Sequence, residues 1–163
     1  MLPALSRTFI AFWGTVMKKV VLAAVFAAAS FQAAFAADGQ CYSAADVEAE
    51  QAILFQTNLM VISSACRDTV YGEFRARNKD AIIRYQKAMI DHFRRGGSRN
   101  AQSDFDRWNT SMANEISLKI NGAVCQQGAD LEKLASTLDA KGLHDYALAQ
   151  ATTAAATHPK CAK

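Results

Sequence analysis

Apolar positions recur along this chain at helical spacing, and no Val/Ile/Thr-rich alternating run suggests a strand. Val47, Leu54 and Val61 repeat every seven residues, with Ile53 and Met60 on a neighbouring line, predicting an amphipathic first helix over 44–71. Ser43 is its expected N-cap, with Asp46 three residues on as a variant capping box. Asp46, Glu48 and Glu50 fall in the first turns, where the helix dipole favours anions. A second helix is expected from Asp80 to Arg95, burying Ile82, Ile83, Met89, Ile90 and Phe93. A third, from about Ser103, carries Phe105, Trp108, Met112, Ile116 and Ile120 on one face and should stop at Asn121-Gly122. The fourth begins at Asp130 with Leu131, Leu134 and Leu138. Gly142 ends or bends it, and a weaker alanine-rich helix continues from Leu143 to about Thr157.

The expected fold is all-α: an irregular up-down four-helix bundle, its fourth helix broken near Gly142 and stapled by two disulfides. Short loops make successive helices antiparallel, and that geometry selects the cysteine pairing. A continuous first helix would hold Cys41 and Cys66 about 37 Å apart at 1.5 Å per residue, whereas a disulfide needs Cα atoms within about 7 Å. The ends of helices 1 and 3 share one pole, placing Cys66 beside Cys125. The start of helix 1 and the end of helix 4 share the other, placing Cys41 beside Cys161.

Oxidised cysteines require export, and the N-terminus carries its signals. From Met17, the expected start, MKKVVLAAVFAAASFQAAFA has a basic n-region at Lys18-Lys19, an apolar h-region, and Ala34-Phe35-Ala36 as a small-x-small cleavage site. Residues 1–36 are therefore read as an N-terminal extension plus cleaved signal peptide, and 37–163 as one helical domain in the periplasm with no membrane span. Ser30 and Gln32 interrupt the apolar run before the roughly 20 residues that a spanning helix needs.

Removing that segment changes the charge. The chain's formal +3 comes from Arg7, Lys18 and Lys19, since the remainder has fifteen bases against fifteen acids. A nucleic-acid partner is not expected from a neutral domain. Within it, residues 67–99 carry nine bases and four acids. The run DHFRRGGSRN (91–100) could be an anion-binding loop, but it has neither a Walker pattern nor a preceding strand. It reads first as a helix end. Arg94 and Arg95 suit the last turn, Gly96 or Gly97 the C′ position, and Ser98 or Ser103 the next cap. Arg94, Arg95 and Arg99 remain candidates for contact with an anion or acidic partner.

No catalytic constellation is evident. The cysteine spacings lack C-x-x-C, no G-x-S-x-G elbow occurs, and the three histidines, His92, His144 and His158, show no ligand spacing for a metal. His92 is read as a surface or boundary residue. Noncovalent haem held by Met60 and His144 is conceivable, though Met60 lies in a core-like run, and no cofactor is expected.

The segments QTNLMVISSAC (56–66), RYQKAMIDHFRRGG (84–97) and DFDRWNTSMANEIS (104–117), with the two later cysteines, resemble a family of small exported four-cysteine helical proteins of Gram-negative bacteria. The resemblance implies export and a disulfide-stapled helical domain and brings no catalytic residues. The resulting expectation is a non-enzymatic periplasmic binding or scaffolding module, accessory to an envelope complex. A carrier of a small apolar ligand or noncovalent haem is the alternative. The partner would be an envelope protein or a small ligand, and a homo-oligomer is compatible with a long first helix.

Overall fold

A computed structural model describes residues 41–161; the expected signal peptide and start site lie outside them. Six helices follow one another: α1 Ala44–Cys66, α2 Val70–Arg77, α3 Lys79–Arg95, α4 Ala101–Leu118, α5 Val124–Thr137 and α6 Ala140–Ala154. Among the described residues there is no strand, only an isolated bridge between Tyr42 and Lys160. No helix among them is long and apolar enough to cross a membrane.

α1 is the centre of the fold and packs against all five other helices. From 46 to 63 it has no exposed residue. A helix of this kind is buried all round rather than along one stripe. Small side chains make this possible: Ala49 and Ala52 are buried beside Ile53, Phe55 and Leu59 and let neighbouring helices approach closely. One core cluster joins Phe55 and Leu59 to Phe74, Ile82, Ala135, Leu143 and Ala147, drawing on α2, α3, α5 and α6. A second joins Ala49 and Ile53 to Met89 and Phe105, with Phe93 and Trp108 packed against it.

The element boundaries differ from the sequence expectations for local reasons. The first helix stops at Cys66 instead of 71. Arg67 takes a left-handed conformation (φ 58°), and Asp68 N–H reaches back to the Ser63 carbonyl at 3.2 Å. The Asp68 carboxylate hydrogen-bonds the Ser63 hydroxyl and accepts from Val70 N–H at 3.0 Å, which starts α2 as a separate helix. The fourth predicted helix begins at Val124 rather than Asp130, and the alanine-rich helix expected after it is α6. The break between them falls at Leu138-Asp139, not Gly142. Leu138 is extended, its carbonyl accepts from the buried Asn78 amide at 3.0 Å, and the Asp139 carboxylate caps α6 by accepting from Gly142 N–H at 2.8 Å. Asn100, rather than Ser98 or Ser103, caps α4. Ile83 is 51% exposed instead of buried.

The two disulfides join Cys41 to Cys161 and Cys66 to Cys125, the pairing that the pole argument gives. At the opposite pole from Cys41, α5 meets α1 at Gly128, where an added Cβ would lie 2.6 Å from Cγ2 of Ile62. Gly128→Ala is expected to lower stability by about 1–3 kcal/mol despite alanine's better helix propensity. Urea unfolding checks this; a stabilised variant would show that the two helices are not in this close contact.

Candidate functional site

The N-terminal pole of α1 collects most of the chain's unusual side chains. Ser43 forms the predicted capping box: its hydroxyl accepts from Asp46 N–H at 3.2 Å, and the Asp46 carboxylate accepts from Ser43 N–H at 2.9 Å. A cap carboxylate usually faces water, but the Asp46 side chain is only 4% exposed. It is satisfied from α3, where Arg95 Nη2 donates to Oδ1 at 2.6 Å and His92 Nδ1 lies 3.5 Å from Oδ2.

This arrangement is one of three. His144 on α6 places Nδ1 2.7 Å from Glu48 Oε1, which also accepts from the Tyr85 hydroxyl at 3.0 Å. His158, in the segment after α6, places Nε2 2.8 Å from Glu50 Oε2. All three histidines of the chain thus meet the three carboxylates of the first turns of α1, arriving from three different elements. The terminal segment is brought there by the Cys41–Cys161 bond and by Tyr42 N–H donating to the Pro159 carbonyl at 2.8 Å. The Tyr42 ring lies between two imidazoles, its centroid 4.2 Å from both His92 and His158.

Burial and pairing compete in the titration of this cluster. Burial acts to raise the Asp46 carboxyl, but the Arg95 guanidinium and the Ser43 N–H and hydroxyl more than offset it, holding it below the ordinary carboxylate range. Burial holds the His92 imidazole below its usual value, against the opposing pull of Asp46. Burial raises the Glu50 carboxyl, and His158 pulls the other way.

The arginine run lies over this pole and forms a Schellman helix end. Gly97 takes the left-handed position (φ 84°), Ser98 N–H donates to the Phe93 carbonyl and Gly97 N–H to the Arg94 carbonyl, both at 3.1 Å. The three candidate arginines are not equivalent. Arg95 crosses to Asp46, Arg94 pairs with Asp91, and Arg99 is exposed with no side-chain partner among the described residues. Beneath the turn runs a groove of about 780 Å³, lined by Tyr42, His92, Phe93, residues 96–98, Asp104, Arg107, Trp108, Ser111 and Pro159. Sequence reasoning missed this groove and the burial of His92, whose side chain is 7% exposed rather than at the surface. The available signal was three acids at alternate positions, 46, 48 and 50, a spacing that splays them around the helix towards different neighbours.

Other candidates are not brought together. His144 sits at Glu48, twelve residues and about 18 Å along α1 from Met60, so those two residues do not flank a common haem. Cys66, Asp68 and Glu132 place three ligand atoms within 4.8 Å of one another, but the Cys66 sulfur is bonded to Cys125 and has no thiolate to offer. No protein-family model, curated protein or solved structure matches the chain.

Proposed function

We propose that this is a non-enzymatic binding module, exported to the periplasm through its N-terminal segment, and that it engages an anionic partner of the cell envelope through the pole beneath the α3–α4 turn. The observation that carries the reading is the charge balance there. Asp46, Asp91 and Asp104 each have an arginine, which leaves the exposed Arg99, next in sequence to the groove-lining Ser98, without an acidic partner among the described residues. The acids and imidazoles below are spent on one another as structural pairs, and this supports binding over catalysis. The resemblance to small exported four-cysteine proteins supports the export part of this reading.

The surface is tested without touching Arg95, which neutralises a buried carboxylate and whose loss would confuse folding with binding. A photo-cross-linking residue at the exposed, groove-lining Ser111 should give a discrete adduct in the periplasm, and one at the exposed Lys133 on α5 should not. Arg94→Glu with Arg99→Glu should lower the yield about tenfold or more by like-charge repulsion. An adduct equally strong from both positions, or indifferent to the charge reversal, would contradict the assignment.

A further inference from the structure

We propose that Cys66, Cys125, Asp68 and Glu132 form a redox-gated site for a thiophilic divalent cation of the zinc type: the disulfide closes it, and reduction to two thiols opens it. The site lies at the far end of α1 from the groove, and its test is independent of the binding surface proposed there.

Its placement begins with local sequence. Ile62 and Cys66 are one turn apart at the end of α1, and Cys125, Gly128 and Glu132 follow at i, i+3 and i+7 on one face of α5. Gly128 lacks the Cβ that would meet Ile62 Cγ2 at 2.6 Å, so these two faces close on each other and Cys66 reaches both Cys125 and Glu132. Arg67, left-handed at φ 58°, turns the chain so that Asp68 returns to the same point. Asp68 Oδ1 accepts from the Ser63 hydroxyl and from Val70 N–H, which fixes the direction of the carboxylate as outer partners of a metal ligand do. One ligand atom each from Cys66, Asp68 and Glu132 lies within 4.8 Å of the others, and no other three His, Cys, Asp or Glu side chains among the described residues come this close.

The two acids are short of a counter-charge. No Lys, Arg or His pairs with Asp68 or Glu132 among the described residues. Glu132 Oε1 is shielded from water and receives no hydrogen bond from an N–H or hydroxyl group. Asp68 faces it, and burial with that like charge raises the Glu132 carboxyl. Two facing carboxyl groups can hold either one proton or a cation between them.

Reduction supplies the remaining ligands. Cys125 is exposed, so a thiolate of a dithiol reductant can attack its sulfur. The Cys66 thiolate leaves, and the second thiol of the reductant resolves the mixed disulfide. The reductant ends as a disulfide and the protein as two thiols. A divalent cation then displaces both thiol protons and is surrounded by two thiolates and two carboxylates, a donor set that suits zinc. α5 remains docked without the bond, because Ala135 lies in the core with Phe55 and Leu59, and Arg77 Nη2 of α2 donates to its carbonyl at 2.8 Å. The sulfurs need only part to about 3.8 Å, the separation of two thiolates each about 2.3 Å from a tetrahedral zinc. The cation then takes over the cross-link between α1 and α5.

The test titrates Co2+, with Zn2+ in competition, into the full chain before and after reduction by a phosphine that is then removed under nitrogen. The oxidised protein should give no thiolate-to-cobalt absorption. The reduced protein should bind one Co2+ with that charge-transfer band and the strong visible bands of a tetrahedral ion, both erased by Zn2+. Glu132→Gln and Asp68→Asn, which keep all four cysteines and the side-chain shapes, should each weaken the reduced site at least about tenfold. Cys66→Ser with Cys125→Ser should lose the charge-transfer band. A band that persists in that double variant would come from Cys41 and Cys161, and equal affinity in Glu132→Gln, Asp68→Asn and wild type would show a plain dithiol. Either result overturns the proposal, as does a reduced chain that binds no Co2+. If reduction melts the helices, far-ultraviolet circular dichroism should recover on adding Zn2+ to the wild type and not to Glu132→Gln; a wild type that fails to recover also overturns it.

Discussion

Replacing Cys41 and Cys161 together by serine is expected to lower stability by about 4–5 kcal/mol, the largest single loss in the molecule, and to drop Tm by about 15 °C. The bond closes a loop spanning 120 residues, against 59 for Cys66–Cys125, and loop closure in the unfolded chain scales with the logarithm of that length. Length alone separates the two by only about half a kcal/mol. The larger difference is local. Without Cys161 the terminal segment is held, among the described residues, by the Tyr42–Pro159 backbone bond, the ring stacking on Tyr42 and the His158–Glu50 contact, and its release would return Glu50 to water. Urea unfolding of the two double variants side by side decides the matter. A smaller loss from Cys41/Cys161 than from Cys66/Cys125 would mean that the terminal segment holds its place without the bond.

Asp46→Ala should cost about 3 kcal/mol, well above the roughly 1 kcal/mol of an ordinary cap. The carboxylate closes the capping box, and it also accepts the Arg95 guanidinium from a nearly buried position. A fully buried pair broken on one side costs about 3–5 kcal/mol; Arg95 is 56% exposed and can return to water, which places the expected value at the lower end. The same group shapes the acid limb of stability. Its folded-state value is depressed, so its contribution is complete above the ordinary carboxylate range and is lost as pH falls through the lower folded value. His92, also depressed, contributes fully above about pH 6.5 and loses that contribution as pH falls below it, because the unfolded chain then binds the extra proton. Glu50, raised, has the opposite sign and offsets part of the loss between its ordinary and folded values. Stability should therefore decline in two stages on acidification, one below about pH 6.5 and one below about pH 4. Asp46→Ala should shrink the lower stage, to which Asp68 and Asp145 also contribute, and enlarge the upper, because His92 loses the carboxylate that opposes its depression. A single unchanged acid transition in that variant would show that Asp46 is not the group responsible.

Local and geometric features were legible in the chain before its structure. The Ser43–Asp46 cap is a four-residue pattern with its own chemistry, and the glycines after Arg95 marked a helix end whatever lay beyond them. The disulfide pairing followed from rise per residue and the alternation of poles, which survive changes in helix number. What periodicity could not show was that α1 is central. Its apolar lines describe one stripe, whereas Gln56, Thr57 and Ser63 are buried as well, because five helices surround it. The α5–α6 break was placed at Gly142 on composition; it is set instead by Asn78, sixty residues away, holding the Leu138 carbonyl. The histidine–carboxylate pairs depend on the terminal segment folding back and on α3 and α6 both reaching the start of α1. The Arg95–Asp46 pair was equally hidden, because a sequence displays neighbours on its own helix and Asp46 is forty-nine residues distant. Binding chemistry was the least legible part, since the groove is assembled from the N-terminal segment, α3, α4 and the terminal segment together.

The most direct test of the binding-module account is native mass spectrometry of the protein purified from periplasm without reductant. The expected spectrum shows the chain beginning after residue 36, four protons lighter for two disulfides, with a noncovalent companion that is lost on denaturation and absent from the Trp108→Leu and Arg94→Glu/Arg99→Glu variants. A wild-type chain carrying no companion, or one that persists unchanged in both variants, would contradict the claim that this pole is where the protein binds.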